Sequence, residues 1–121
     1  MLAGHGLAAA VQVVVERCRV PVDLDIADVR YAAEVEWAVY RVVDVALACA
    51  AAQGATRARV DVYPRGRDLR FAVFHDAGCT GLPDAAAGPV RALGGRVRTC
   101  HRDGGTLIDG RLPVPEQGGN T

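Results

Sequence analysis

The chain of 121 residues contains no lysine and no serine, and its only asparagine is Asn120, close to the C-terminus. Without lysine, enzymes that form a Schiff base and phosphate-binding loops that use a Walker-type lysine are excluded. Without serine, hydrolases that use a serine nucleophile are excluded as well. These two absences remove several large enzyme classes before any motif is considered.

The sequence also lacks an excess of charge and a long apolar run. Its 14 arginines balance 14 acidic residues, so the net charge gives no electrostatic footprint for nucleic acid or an anionic membrane. The longest apolar stretch is broken by Asp44 and Gln53 and is too short to span a bilayer. We therefore expect no nucleic acid or membrane partner for this segment, and we expect Arg96 and Arg98 to lie on a solvated strand face.

The four cysteines are widely spaced and form no C-x-x-C pair. No N-terminal segment has the features of a signal peptide, so we expect a cytoplasmic protein with reduced thiols. One conceivable zinc site would combine His75 and Cys79 with Cys100 and His101. Because the last two are adjacent in a predicted strand, they point to opposite faces, and we expect no metal there.

Chain length and hydrophobic periodicity predict one domain with two layers. Folding of a chain this long buries roughly two-thirds of its surface. The predicted helices and strands are, in order, a helix over 7–17, a strand over 22–26, a long helix over 32–52, strands over 56–63 and 69–75 joined by a turn over 64–68, a short helix or irregular segment near 84 interrupted at Gly88-Pro89, and strands over 96–101 and 106–114. We predict an α+β fold, a two-layer α/β sandwich with the helices on one face of a mixed, mostly antiparallel sheet. This domain spans residues 1–114, and 115–121 is expected to be a disordered tail.

The long predicted helix carries one acid, Asp44, in an otherwise apolar stretch. Its apolar stripe consists of Val35, Val39, Val42 and Ala46, with Cys49 or Ala50. Asp44 lies on a different face, together with Arg41. The simpler explanation is an ion pair between Arg41 and Asp44 on a solvated surface, worth a few tenths of a kcal/mol; the alternative is a carboxylate that faces a ligand pocket.

A second acid, Asp76, follows the strand "LRFAVFH". Alternation places Phe71, Val73 and His75 on one side of that strand, and His75 is expected to be an ordinary surface or partly buried histidine. The carboxylate of Asp76 either accepts N–H groups from the turn that follows or accepts a donor on a ligand, such as the exocyclic amine of adenine. In the second case Gly78 would let a flat ring approach the backbone.

The late stretch "DGGT" also has two explanations. It fits a hairpin turn between the last two predicted strands. Alternatively, Gly104 and Gly105 bring backbone N–H groups close to a phosphate, with Thr106 beside them.

A long helix with an acid, a hairpin that ends in Asp-x-Gly and a late Gly-Gly-Thr, in this order, resemble the C-terminal ATP-binding domain of bacterial sensor histidine kinases. That domain belongs to the ATPase superfamily that includes gyrase and MutL. The stretches "HGLAAA", "VPVDLDI", "VEWAVYRVVDVAL" and "GATRARVDV" have counterparts in the subgroup that pairs with LuxR-type response regulators. The resemblance covers about residues 4–114. It implies a Bergerat-type ATPase fold, ATP or ADP as the cofactor, and a response regulator, a kinase or a second copy of the chain as partner.

The resemblance also assigns roles to single residues. Asp44 stands at the position of the family's helix glutamate, which would make it the catalytic acid. Asp76-Ala77-Gly78 matches the Asp-x-Gly motif, so Asp76 is expected to accept from the adenine amine. Gly104-Gly105-Thr106 matches the end of the last glycine box and is expected to contact the nucleotide.

Three departures from the family pattern bear on catalysis. Ala48 replaces the asparagine that helps to hold magnesium, the Gly-Leu-x-Gly pattern of the lid is missing between Gly81 and Arg96, and no helical hairpin with a phosphoacceptor histidine precedes His5. Phosphoryl transfer depends on positioning and on neutralising phosphate oxygens, largely through magnesium. We therefore expect a degenerate member with no strong magnesium site and weak or lost phosphoryl transfer, or alternatively a non-catalytic pseudo-ATPase that serves as a dimerisation or protein-interaction module.

Overall fold

The computed structural model describes residues 6–27, 29–78, 82–102 and 104–114. The helices in these ranges are α1 (Gly6–Arg17), α2 (Ala33–Ala52) and α3 (Asp84–Ala92). The strands are β1 (Val22–Ile26), β2 (Ala58–Arg65), β3 (Asp68–His75), β4 (Arg96–Arg102) and β5 (Gly105–Pro113). The predicted order of elements is confirmed, and the predicted tail over 115–121 lies outside the described residues.

The described strands form one five-stranded sheet in the order β1-β2-β3-β5-β4. β1 runs parallel to β2, whereas the β2–β3, β3–β5 and β5–β4 pairs are antiparallel. This is the mixed, mostly antiparallel sheet that the sequence predicts, and the α+β class is confirmed. β3 lies in the middle, so both of its edges are hydrogen-bonded.

The core lies between the sheet and the helices. α2 packs on β2 and β3 and contacts α1 and α3 on either side. Its predicted apolar stripe is buried, since Val35, Val39, Val42, Ala46 and Ala50 are at most 5% exposed. Burial of one such valine contributes roughly 1.5–3 kcal/mol, so the stripe fixes the rotation of α2 over the sheet. No helix among the described residues has the length and apolarity needed to cross a bilayer.

The β2–β3 hairpin is tighter than predicted. Pro64 and Arg65 continue β2, and only Gly66 and Arg67 form the turn. Gly66 has a φ of 63°, a left-handed conformation that glycine adopts without a Cβ clash and that short hairpins favour. This two-residue turn fixes the register of the whole pair, which ends with Ala58 opposite His75.

The third helix is more regular than predicted. α3 continues through Gly88 and Pro89 without a break. Proline removes one backbone donor from a helix. Burial of Ala87 and Val90, which are at most 3% exposed, and contact with α2 offset that loss.

The cysteines differ from expectation at one position. Cys18 and Cys100 are free thiols, whereas Cys49, half-buried on α2, is disulfide-bonded. The expectation of reduced thiols is therefore wrong for Cys49. Spacing along the chain does not report which cysteines come within bonding distance in space.

A close approach of two backbone segments at Gly95 generates a stability prediction. A Cβ added there would lie 2.3 Å from the Arg111 carbonyl oxygen and 2.9 Å from the side chain of Leu112. We expect Gly95→Ala to lower the free energy of unfolding by about 1–3 kcal/mol, because the backbone must shift. The control is Gly88→Ala inside α3, where the new Cβ meets no described atom within 4 Å and helix propensity predicts no loss, or a gain of up to about 1 kcal/mol. Urea unfolding followed by circular dichroism measures both, and equal losses would contradict the close approach.

Candidate functional site

β3 ends at His75, whose side chain lies on the helix-facing side of the sheet. Phe71 and Val73 lie on the same side because alternate residues of a strand share a face. All three are 0% exposed. His75 is therefore a core residue, and the expectation of a surface or partly buried histidine is wrong, because its inward direction on β3 continues that of Phe71 and Val73.

The hydrogen bonds of His75 define its protonation state. The Ala77 N–H donates to His75 Nδ1 at 3.2 Å, which places the ring proton on Nε2. Burial lowers the pKa of His75 and outweighs the nearby Asp76 carboxylate, which raises it. The imidazole is thus neutral at pH 7 and presents one donor, Nε2–H.

That donor has no acceptor among the described residues. His75 Nε2 is buried and makes no hydrogen bond to any of them. A buried donor without a partner costs about 1–3 kcal/mol, and such groups are rare in native proteins. An unpartnered donor at a strand end is a candidate contact for a ligand that carries an acceptor.

Thr106 completes this buried cluster from the neighbouring strand. It lies opposite His75 in the β3–β5 register and is 0% exposed. Its hydroxyl donates to the Ala77 carbonyl oxygen at 2.7 Å. The predicted residue Thr106 therefore lies beside His75, where it anchors the chain as it leaves β3.

The predicted glycines fall into two groups. Gly105 and Gly104 have structural roles: a Cβ at Gly105 would lie 2.6 Å from the His75 carbonyl oxygen, and Gly104 has a φ of 78°. Gly78 differs from both, because it is exposed and a Cβ there would meet no atom of the described residues within 4 Å. Packing within the described part of the chain therefore does not require glycine at 78.

Asp76 turns to the preceding strand rather than to the turn that follows. Its Oδ1 accepts from the backbone N–H groups of Thr56 at 2.7 Å and Arg57 at 3.2 Å, and its Oδ2 accepts from the Thr56 hydroxyl. These bonds, led by the Thr56 hydroxyl and then the Thr56 N–H, lower the pKa of Asp76 to about 2. Asp76 therefore joins the end of β3 to the start of β2.

Asp44 lies at a different place. It lines a cavity of about 400 Å³ between α1 and α2. The other lining residues are Val14, Arg17, Cys18, Arg19, Tyr40, Leu47, Ala48 and Ala51. Asp76 is not among them, so the structure does not bring the two predicted acids together in this cavity. No ion pair links Asp44 to Arg41 in the part of the chain that the structure describes.

The described residues offer no obvious metal site. Within them, no three His, Cys, Asp or Glu side chains lie close enough to hold an ion together. Ala48, at the position where the resemblance implies a magnesium ligand, is exposed and has no donor atom. Cys79, part of the zinc site that the sequence disfavours, lies outside the described residues.

The sequence matches no protein-family model and no curated protein. Its fold, in contrast, matches solved structures. The Mycobacterial sensor histidine kinase MprB superposes with a TM-score of 0.68 at 16% identity, over 92% of this chain and 95% of that one. The histidine kinase domain of the E. coli osmosensor EnvZ superposes with a TM-score of 0.66 at 17% identity, over 90% and 86%.

This chain has the fold of a histidine-kinase catalytic domain. The Bergerat-type fold expected from the resemblance is thereby confirmed. The blue-light-activated histidine kinase EL346 of Erythrobacter litoralis gives a TM-score of 0.71 at 16% identity, over 89% of this chain. This chain spans only 44% of the length of that kinase.

The contacts of Asp76 give a pH-dependent prediction. A carboxyl group whose pKa is lowered by folding stabilises the protein above its unfolded value of about 3.9, and that stability is lost as the pH falls through the folded value. We expect Thr56→Val to raise the pKa of Asp76 from about 2 and to flatten the loss of stability below pH 4. Carbon-detected NMR titration of the carboxyl groups measures the pKa. Thr99→Val on edge strand β4 is the control, and an unchanged Asp76 pKa in Thr56→Val would contradict the assignment.

Proposed function

We propose that this chain is a nucleotide-binding domain of the sensor histidine kinase type in two-component signalling, with weak or lost phosphoryl transfer. The buried, unpartnered Nε2–H of His75 carries the proposal. It lies at the end of the central strand, beside the buried Thr106 and next to the exposed backbone at Gly78. The fold supports the kinase-type assignment.

The donor at His75 fits one part of adenine and not another. A purine ring nitrogen is an acceptor and would satisfy Nε2–H, whereas the exocyclic amine is itself a donor. The amine requires an acceptor, for which Asp76 is the rival contact. Three donors already occupy the Asp76 carboxylate, out of about four acceptor positions. We therefore propose His75 as the purine contact and Asp76 as the residue that positions the strand end.

The phosphate end of the nucleotide is proposed to lie near the exposed backbone of Gly78 and Gly104. Both glycines are exposed, and a Cβ at either would meet no described atom within 4 Å. Gly105 and Thr106 are buried, so we propose that they act indirectly, by holding β5 and Ala77 in place.

The residues present do not fit a magnesium-assisted transfer. Ala48 supplies no ligand atom, and Asp44 lines the α1–α2 cavity with two arginines. No transfer step is therefore assigned to Asp44. Weak or lost phosphoryl transfer is proposed on this ground, with ATP or ADP as the ligand.

Two matched variants test the nucleotide proposal. We expect ADP and ATP to shift the amide NMR signals of residues 75–78 and 104–107, with or without magnesium. His75→Phe keeps an aromatic ring but removes the orphan donor, so it should abolish these shifts. It also removes the Nδ1 acceptor of the Ala77 N–H, so a loss of about 1–3 kcal/mol in the free energy of unfolding is expected and is measured alongside. Asp76→Asn should lower stability yet retain the shifts.

Three other results of this experiment would contradict parts of the proposal. Loss of nucleotide binding in Asp76→Asn with retention in His75→Phe would make Asp76 the purine contact. Tightening of binding by magnesium would contradict the role given to Ala48. No shift at millimolar nucleotide would reject nucleotide binding and favour the interaction module.

One observation supports the alternative function, a dimerisation or protein-interaction module. Trp37 on α2 is 49% exposed and stacks on Tyr40 with ring centroids 5.5 Å apart. Exposed aromatic side chains often anchor protein interfaces. If this pair contacts a second copy or a response regulator, Trp37→Ser should weaken that association at least tenfold in analytical ultracentrifugation. Tyr63→Ser, at a tyrosine that is 41% exposed on β2, is the control, and equal association of both variants would exclude Trp37 from the interface.

A further inference from the structure

The open face of the sheet, opposite the helices, carries four arginines close together. The register places Arg70 opposite Arg111 and Arg111 opposite Arg96, so three guanidinium groups form one row across β3, β5 and β4. Arg98 lies two residues along β4 from Arg96. We name this set of Arg70, Arg96, Arg98 and Arg111 the arginine cluster.

The cluster points away from the core because of strand alternation. Leu69 and Phe71 flank Arg70, and Leu112 follows Arg111; all three apolar residues are 0% exposed on the helix side. The cluster and His75 therefore lie on opposite faces of the sheet. A ligand on one face does not compete with a ligand on the other.

The positive charge of the cluster is poorly neutralised within the described residues. Arg98 reaches Asp109 only at 3.9 Å, and Arg111 reaches Asp68 only at 3.8 Å. Neither separation is a hydrogen bond. Arg70 and Arg96 have no ion pair among the described residues, and the buried Nε of Arg70 has no acceptor.

Such an arrangement is unfavourable without an anion. Neighbouring strands lie only about 4.8 Å apart, and like charges directly opposite each other destabilise a sheet. Two acids, Asp68 and Asp109, lie beside the four arginines, and the other acids of this face lie at its far end, where Asp61 pairs with Arg59 at 3.0 Å. The zero net charge of the chain thus conceals a face that is basic at β3–β5–β4.

The cluster surrounds a small cavity. Its volume is about 250 Å³, and its lining is the four arginines with Asp109 and Gly110. Pockets for larger organic ligands are usually about 300–1,000 Å³ and mostly apolar, so this one suits a compact, highly charged ligand. Guanidinium forks match the oxygen geometry of phosphate and bind it through paired hydrogen bonds.

We propose that the arginine cluster is a binding site for a phosphate-bearing small molecule, with pyrophosphate as its simplest occupant. The phosphate oxygens neutralise the row Arg70–Arg111–Arg96 and supply the acceptor that Arg70 Nε lacks. This site needs no purine and is independent of His75.

Pyrophosphate and inorganic phosphate are the probes. We expect pyrophosphate to shift the amide signals of residues 70, 96–98 and 109–111, to raise the melting temperature, and to bind more weakly as salt increases. Arg111→Gln should weaken this binding at least tenfold and should raise the melting temperature without ligand, because it removes the central charge of the row. Arg70→Gln is a second variant with the same expectation.

The control variant is Arg65→Gln, which makes the same charge change on the same face. Arg65 lies opposite Asp68 and does not line the cavity, so pyrophosphate binding should persist. Equal weakening in Arg65→Gln would show unspecific charge attraction and overturn the site. Binding of poly-glutamate, or of vesicles containing phosphatidylglycerol, without binding of pyrophosphate would also overturn it. ADP shifts at the cluster but not at His75 would refute the nucleotide proposal alone.

Discussion

The alternation of β3, fixed by hydrogen bonding along both of its edges, determines the position of almost every candidate group. β3 pairs with β2 and with β5 over its whole length, from Asp68 to His75. A slip of one residue would bring Phe71 and Val73 to the open face and bury Arg70. Several kcal/mol of core burial oppose that exchange. The inward direction of His75 and the outward direction of Arg70 are therefore consequences of the same core.

The elements were predictable from the sequence because hydrophobic periodicity reports them directly. The stripe from Val35 to Ala50 indicates α2, and the alternating residues of β2 and β3 indicate a hairpin. The face of a single residue at a strand end is harder to predict when a motif competes with alternation. Alternation predicts that His75 lies on the same side of the strand as Phe71, whereas the Asp-x-Gly motif predicts that Asp76 contacts the ligand.

Contacts between distant parts of the chain were not predictable in the same way. The predicted hairpin brings the start of β2 to the end of β3, but no local pattern shows that the Asp76 carboxylate binds Thr56, 20 residues earlier. Asp44 illustrates the same limit on a helix. Each residue turns the helix by about 100°, so the cavity that Asp44 faces depends on where α1 packs. The sequence alone does not predict where α1 packs against α2.

The buried group at the end of β3, His75, is a hydrogen-bond donor, which determines which atoms of a ligand it can bind. The family resemblance implies a carboxylate acceptor, but the inward residue here is a neutral imidazole that donates. An adenine that presented its amine to His75 would bring two donors together and leave both unpaired, at about 1–3 kcal/mol for each. A ring nitrogen would instead pair with Nε2–H. Because burial lowers the pKa of His75, the imidazole stays neutral to a lower pH than an ordinary histidine does. In the proposed nucleotide site, His75 would therefore select a ligand by the direction of its hydrogen bond rather than by charge, whereas the arginine cluster lies on the other face of the same sheet.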